Sequence, residues 1–334
     1  MVDENPLQER EHDKKILVVN TGGTIAMSVD DTEGVKPLDD QAVNKILPFL
    51  ERYADVTMKN VLNLPSPHMT PKIMNDLRLQ IEEAFRQEQY DGVVITHGTD
   101  TLEETAYFLD LTLSVDVPIV VTGAMRSSNE LGADGPVNLI SSVRTAADPG
   151  SLNKGVLVVF NDEIHAACHV TKTHTSNVAT FQSPQYGPIG TIAKKSVQYH
   201  HAPLAREHYT ISHADGNVPL IKAVAGMDPS WLQFLLDQPI DGLVIEAFGL
   251  GNLPPAIIPT LQQLLDRGIP IVLVSRCYNG QVQDVYDYEG GGRKLKEMGI
   301  IFSNGLNGQK ARIKLIVTLQ KTRDFQELQK LFDQ

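Results

Sequence analysis

Val18-Val19-Asn20-Thr21-Gly22-Gly23-Thr24-Ile25-Ala26 lies near the front of the chain. The apolar run Ile16 to Val19 reads as a buried strand, and it ends in two threonines bracketing a glycine pair. Glycine lets the backbone turn sharply and come close to a ligand, because no Cβ intervenes. In open α/β sheets, ligands sit outside the carboxyl ends of the strands. Thr24 is therefore carried to a place where chemistry is commonly done. The competing reading is a Gly-Gly turn with Thr24 as a helix N-cap, since Thr and Gly are ordinary strand-exit and cap residues.

The same pattern recurs downstream. Gly92-Val93-Val94-Ile95-Thr96 is a second apolar strand, exiting into His97-Gly98-Thr99-Asp100-Thr101 before a helix at about Leu102 to Leu113. Pro118 to Thr122 is a third strand, with Gly123-Ala124-Met125-Arg126 after it, and a helix at Gly135 to Ala147 leads to a fourth at Gly155 to Phe160. Strand, turn and helix in repetition predict a parallel sheet with right-handed crossovers. Thr70-Pro71 opens a helix over Lys72 to Glu88, with Thr70 as N-cap. His165 to Tyr209 changes character and predicts a hairpin or edge-strand appendage. Beyond a loop-like segment, strands at Leu220 to Ala225, Gly242 to Ala247, Ile271 to Ser275 and Ile313 to Leu319 and helices at Ser230 to Leu236 and Pro255 to Arg267 predict a second α/β unit. The expected fold is α/β with two open, mainly parallel-sheet domains: 15–200, larger and flavodoxin/Rossmann-like, and 218–334, smaller, joined by a linker at 201–217.

With 334 residues, at roughly 100–200 per domain, the chain has room for two such units. Forty-one acidic against 29 basic residues give a net charge of −12, which argues against a nucleic-acid or anionic-membrane partner. Two distant cysteines, Cys168 and Cys277, imply no disulfide framework. Met1 to Lys15 is hydrophilic and lacks the apolar core of an export signal, and no later run approaches the ~18 apolar residues of a membrane helix. A cytoplasmic protein is expected.

Two hydroxyl-rich strand exits in one domain point to a site. A Thr hydroxyl is a weak nucleophile that needs a base or a polarising charge, and turn amides beside Gly23 and Gly98 could stabilise an oxyanion. Asp100 and Thr101 could instead cap the following helix. Lys172, between Thr171 and Thr173, is a candidate to tune a Thr hydroxyl through Asp100, against the simpler reading of a solvated hairpin lysine. Met27 to Asp40, behind the first exit, reads as a lid or as an ordinary surface loop. His165, Cys168, His169 and His174 cluster without recognised zinc spacing, and Gly290-Gly291-Gly292 lacks the context of a phosphate loop, so no metal and no cofactor is expected.

Thr21-Gly22-Gly23-Thr24-Ile25-Ala26 and Gly92 through Leu102 resemble the two signature motifs of the bacterial-type L-asparaginase/glutaminase family. The resemblance continues through Gly123-Ala124-Met125-Arg126, Ala133-Asp134-Gly135-Pro136, Val170-Thr171-Lys172-Thr173 and Asn307-Gly308-Gln309-Lys310-Ala311-Arg312. It implies an amidohydrolase that converts L-asparagine and water to L-aspartate and ammonia, with some glutaminase activity alongside. It implies Thr24 as the nucleophile that forms an acyl-enzyme, and Thr99 as a second catalytic Thr linked to Lys172 and Asp100. Asp100 would also hold the substrate α-ammonium, Ser66 the α-carboxylate, and the Ala124 carbonyl the leaving amide. The family's usual assembly is a homotetramer of two intimate dimers, with an acidic residue lent across the dimer interface; Glu289 is the candidate here, with Asp287 and Asp284 as alternatives.

The chain departs from the family in two places. Met27 to Asp40 holds none of the Tyr that often assists the nucleophile, and Pro67 stands where many relatives have Gln, so the family's asparagine-versus-glutamine preference does not carry over. A non-catalytic amino-acid-binding protein and an ammonia-supplying amidotransferase subunit are the alternative readings.

Overall fold

The computed structural model describes residues 14–23, 27–29, 35–37, 41–204, 206–303 and 305–333. In chain order, the first part holds β1 (Lys15–Asn20), β2 (Met27–Val29), β3 (Val35–Pro37), α1 (Gln41–Leu50), β4 (Asp55–Asn60) and α2 (Pro71–Gln87). Next come β5 (Gly92–Thr96), α3 (Leu102–Thr112), β6 (Ile119–Thr122), α4 (Gly135–Ala147), β7 (Val156–Phe160) and β8 (Glu163–Ala166). Four short strands follow, β9 (Thr171–Lys172), β10 (Phe181–Gln182), β11 (Gly190–Ile192) and β12 (Val197–Tyr199). The last part is β13 (Leu220–Lys222), α5 (Ser230–Gln233), β14 (Leu243–Ala247), α6 (Ile258–Asp266), β15 (Ile271–Ser275), α7 (Gly292–Glu297), β16 (Ile301–Phe302), α8 (Gly308–Thr318) and α9 (Phe325–Phe332).

Eight strands form one open sheet in the order β12-β11-β8-β7-β6-β5-β1-β4. From β4 to β7 all neighbours are parallel, while β8, β11 and β12 extend the edge antiparallel. The parallel part reads 2-1-3-4-5 in chain order, the flavodoxin-like order expected. Strands β1, β5, β6 and β7 are apolar along their buried lengths because both faces are covered, whereas β4, at the sheet edge, mixes polar and apolar residues and is only half-buried. Leu17, Val19, Val93, Ile95, Val121 and Val158 face one core, with residues of α2, α3 and α8. Ile16, Val18, Val94, Val120, Leu157 and Val159 face the other, with residues of α1 and α4. The second sheet, β13-β14-β15-β16, is wholly parallel. Among the described residues no helix is long and apolar enough to cross a membrane.

One expectation fails instructively. Ile313 to Leu319 is the end of helix α8, not a strand, and the fourth strand of the second sheet is the two-residue β16. Helix α8 packs on α3 from one side and on β14 and β15 from the other. Burial all round erases the one-sided periodicity by which a surface helix is recognised. Within the segment behind the first exit, β2 and β3 pair antiparallel. The expected 165–209 appendage proves to be two features: β8, β11 and β12 join the main sheet, and β9 pairs with β10 in a separate two-stranded ladder.

Candidate active site

The reversal of strand order in the main sheet falls between β1 and β5, so their carboxyl ends frame the crevice of a switch point. The two exits are tied together by polar contacts. Asn20 Oδ1 accepts from Gly22 N (3.1 Å) and from Thr96 Oγ1 (2.9 Å). Thr21, fully buried, donates its hydroxyl to Thr96 O (2.8 Å), a structural use of that side chain. Gly22 and Gly23 hold φ of 107° and 87°, a region costly for any residue with a Cβ. A Cβ on Gly23 would collide with the backbone of His97 and Gly98, and one on Gly123 with His97 O. Gly98 in turn lies against Ser66, where a Cβ would come within 2.7 Å of Ser66 Oγ.

The polar side chains converge on this contact. Lys172 Nζ donates to Thr99 Oγ1 at 2.9 Å and to Asp100 Oδ1 at 2.7 Å. Thr99 is buried, whereas the Asp100 side chain is 59 % exposed and can meet a ligand. Ser66 Oγ accepts from Asp100 N (3.2 Å), and Ser66 O accepts from Thr101 Oγ1 (2.8 Å). Helix α3 starts after Thr101 with no side-chain cap bond, so the capping role considered for Asp100 and Thr101 is not the one they play. Lys172 is no solvated hairpin lysine either, since its side chain is only 16 % exposed. Thr24 lies outside the described residues.

Ala124 is fully buried on the turn after β6. The sequence reading assigned no task to the residues that fix this turn. Asp134 accepts from Met125 N (3.1 and 3.0 Å) and Arg126 N (2.9 Å), and Asn138 Nδ2 donates to Gly123 O (3.0 Å). Asp134 lies in the Ala133–Pro136 stretch, whose sequence alone does not show which amides it serves.

Glu289 is exposed on a loop whose backbone is fixed on either side. Leu253 N donates to Gly290 O (2.8 Å), and Gly291 N to Tyr288 O (2.8 Å). Asp287 is engaged by Arg293 and Lys294 (3.5 and 3.2 Å). The histidine cluster disperses into local contacts. His165 Nδ1 meets Ser183 Oγ (3.0 Å), His169 stacks on Tyr186, and His174 Nδ1 accepts from Ser176 N and Asn177 N (3.0 and 2.9 Å). Burial pushes the Cys168 thiol up to about 12, which keeps it protonated. No three metal-ligating side chains gather among the described residues. A cavity of about 350 Å³ between the two sheets shares Lys172 with the site but not Thr99, Asp100 or Ser66.

His97 is wholly buried, and that burial lowers its pKa to about 4. Its ring is therefore neutral near pH 7. Nδ1 donates to Gly98 O (2.8 Å), because a carbonyl can only accept, and Nε2 accepts from Thr105 Oγ1 (2.9 Å).

Two family models match almost the whole chain, described as Asparaginase, N-terminal over residues 15–205 and as Glutaminase/Asparaginase C-terminal domain over 217–332. A protein of Deinococcus radiodurans described as a probable L-asparaginase is 39% identical over 325 residues, which are 96% of this chain and 97% of that one. L-asparaginase 2 of Escherichia coli (strain K12) is 38% identical over 335 residues, 96% of this chain and 92% of its own. The crystal structure of a probable cytoplasmic L-asparaginase from Campylobacter jejuni superposes with a TM-score of 0.88 at 34% identity, covering 96% and 99% of the two chains. The likenesses thus point to one class, proteins with an open α/β sheet unit followed by a smaller one. This chain belongs to the asparaginase family.

Two outcomes check the geometry. Gly98→Ala forces a Cβ against Ser66 and is expected to lower stability to urea by about 1–3 kcal/mol; an unchanged midpoint would contradict the packing. Unfolded histidine titrates near 6.5, so between about pH 6.5 and pH 4 the unfolded chain binds a proton that native His97 refuses. Stability from this residue is thus full above that window and lost on acidification through it. The slope of unfolding free energy with pH should be smaller in His97→Gln than in the wild type by up to about 1.4 kcal/mol per pH unit. Equal slopes would show that His97 is protonated in the native state.

Proposed function

We propose that this chain hydrolyses L-asparagine to L-aspartate and ammonia through an ester on Thr24. The observation that carries the reading is the Lys172 ammonium lying between Thr99 Oγ1 and Asp100 Oδ1, at the exit packed against Gly23, the residue that precedes Thr24 in sequence. Thr24 Oγ attacks the side-chain carbonyl carbon of asparagine, the C–N bond breaks with release of ammonia, and water then cleaves the ester. Thr99, whose oxygen accepts from the ammonium, holds a hydroxyl proton that is more readily given to the leaving nitrogen.

The neighbouring groups suit the two ends of an amino acid. Asp100 keeps one carboxylate oxygen for the substrate α-ammonium while the other binds Lys172. Ser66 has a hydroxyl proton to give the α-carboxylate, since its oxygen only accepts from Asp100 N. The Ala124 carbonyl receives the amide N–H. Glu289 of a neighbouring copy completes the site in a homotetramer of two intimate dimers. Residues 15–200 act as the catalytic domain, 201–217 as the linker and 218–334 as the smaller domain, in a cytoplasmic enzyme. No metal or cofactor enters the scheme.

Thr24→Ala, Thr99→Ala and Lys172→Met are each expected to lower kcat for ammonia release from asparagine by about 10³-fold or more, with circular dichroism unchanged. Substantial turnover in both threonine variants would contradict the assignment. Steady-state assays of asparagine and glutamine side by side fix the glutaminase share.

A further inference from the structure

Behind Lys172 sits a carboxylate that the reaction as described does not use. Glu103, one turn along the chain from Thr99, is 5 % exposed. Its Oε1 accepts from Thr171 Oγ1 and from Gln309 Nε2, both at 3.1 Å, and lies 3.5 Å from Lys172 N. Its Oε2 accepts from Asn307 Nδ2 at 3.1 Å and lies 3.8 Å from Lys310 Nζ. Lys310 is itself buried and donates to Val170 O. An acidic residue in the first turn of a helix is ordinarily explained by the helix dipole. That explanation does not account for a buried carboxylate collecting donors from two other chain segments.

Those segments are β9, which carries Lys172, and the start of α8. Strand β9 is two residues long and among the described residues pairs on one side only, Phe181 opposite Lys172 and Gln182 opposite Thr171. So short a ladder does little to fix where along its direction the lysine stands. Glu103 holds the strand at Thr171 Oγ1, with Lys172 N 3.5 Å from the same oxygen, and Asn307 and Gln309 hold Glu103 in turn. Only an ionised carboxylate accepts from all these donors; an amide would present its own NH₂ to one of them.

We propose that Glu103 is a positioning residue that sets β9 so that Lys172 reaches Thr99, and that Asn307 and Gln309 extend this setting to the C-terminal part of the chain. The catalytic exit and the second sheet unit are thereby made one device: the lysine is in register only when α8 is docked. This rests on the reading that the Lys172–Thr99 contact serves asparagine hydrolysis.

Two variants separate positioning from simple docking. Thr171→Val keeps the shape and removes the hydroxyl by which Glu103 and, at 3.4 Å, Asn307 Nδ2 hold β9, while Asn307, Gln309 and Lys310 stay on Glu103 and Lys172 N stays 3.5 Å from it. Asn307→Ser keeps a capping oxygen for α8, which Asn307 now supplies to Lys310 N at 3.1 Å, but is too short to reach Glu103. Positioning predicts that each lowers kcat for asparagine by ~10-fold while KM stays within about twofold, because a small displacement of a catalytic group costs rate more than binding. Glu103→Gln should show the same split, at least as large. A docking role alone predicts a lower thermal midpoint with kcat unchanged. Wild-type kcat in folded Thr171→Val and Asn307→Ser, with the wild type hydrolysing asparagine, overturns the positioning role and leaves the function standing. A wild type inert towards asparagine overturns both.

Discussion

The site depends on a close backbone approach between two strand exits. Gly23 lies on the backbone of His97 and Gly98, Gly98 on Ser66, and Gly123 on His97 O, with no space for a Cβ at any of the three. Because β1 and β5 are neighbours at the point where strand order reverses, their exits must share one crevice, and glycine is what lets them share it so tightly. Neutral His97 braces the turn from within by holding Gly98 O. Thr99, Asp100 and Ser66 then follow as residues whose backbones have nowhere else to go.

A second constraint acts across the molecule. Helix α8 sends two lysines, one turn apart, into the seam between the sheets: Lys310 to Glu103 and Val170 O, and Lys314 to Glu207 at 2.7 Å. Both lysines are 1 % exposed, and burial lowers the pKa of each. Removing one partner of such a pair costs about 3–5 kcal/mol, since the other charge stays buried. The seam is therefore selective for one docking of the two units. The hydrogen bonds of Glu103 carry that docking to the strand bearing Lys172.

Much of this was legible in the residues. The alternation of apolar strands and helices gave the sheet, because parallel strands buried on both faces are apolar without interruption. Thr99, Asp100 and Lys172 were candidates by residue type and place, and the fold brings all three within hydrogen-bond reach. The failures have physical causes. Ile313 to Leu319 reads as a strand because helix α8 is buried nearly all round, and β16 is too short to leave a pattern. Glu103 follows the second strand exit with no task legible in the residues, since nothing local announces that Asn307 and Gln309, some two hundred residues on, will meet it. Thr24 is legible from its place at the first strand exit and from its motif, and it lies outside the described residues.

In the proposed reaction Thr24 Oγ takes the acyl group, with Thr99 and Lys172 serving it. The most direct measurement is mass spectrometry of the enzyme quenched in acid during turnover of asparagine, with the modified peptide mapped. The account predicts an aspartyl ester on the peptide that contains Thr24. An ester on Thr99 instead, or one that forms equally in Thr24→Ala, would contradict it.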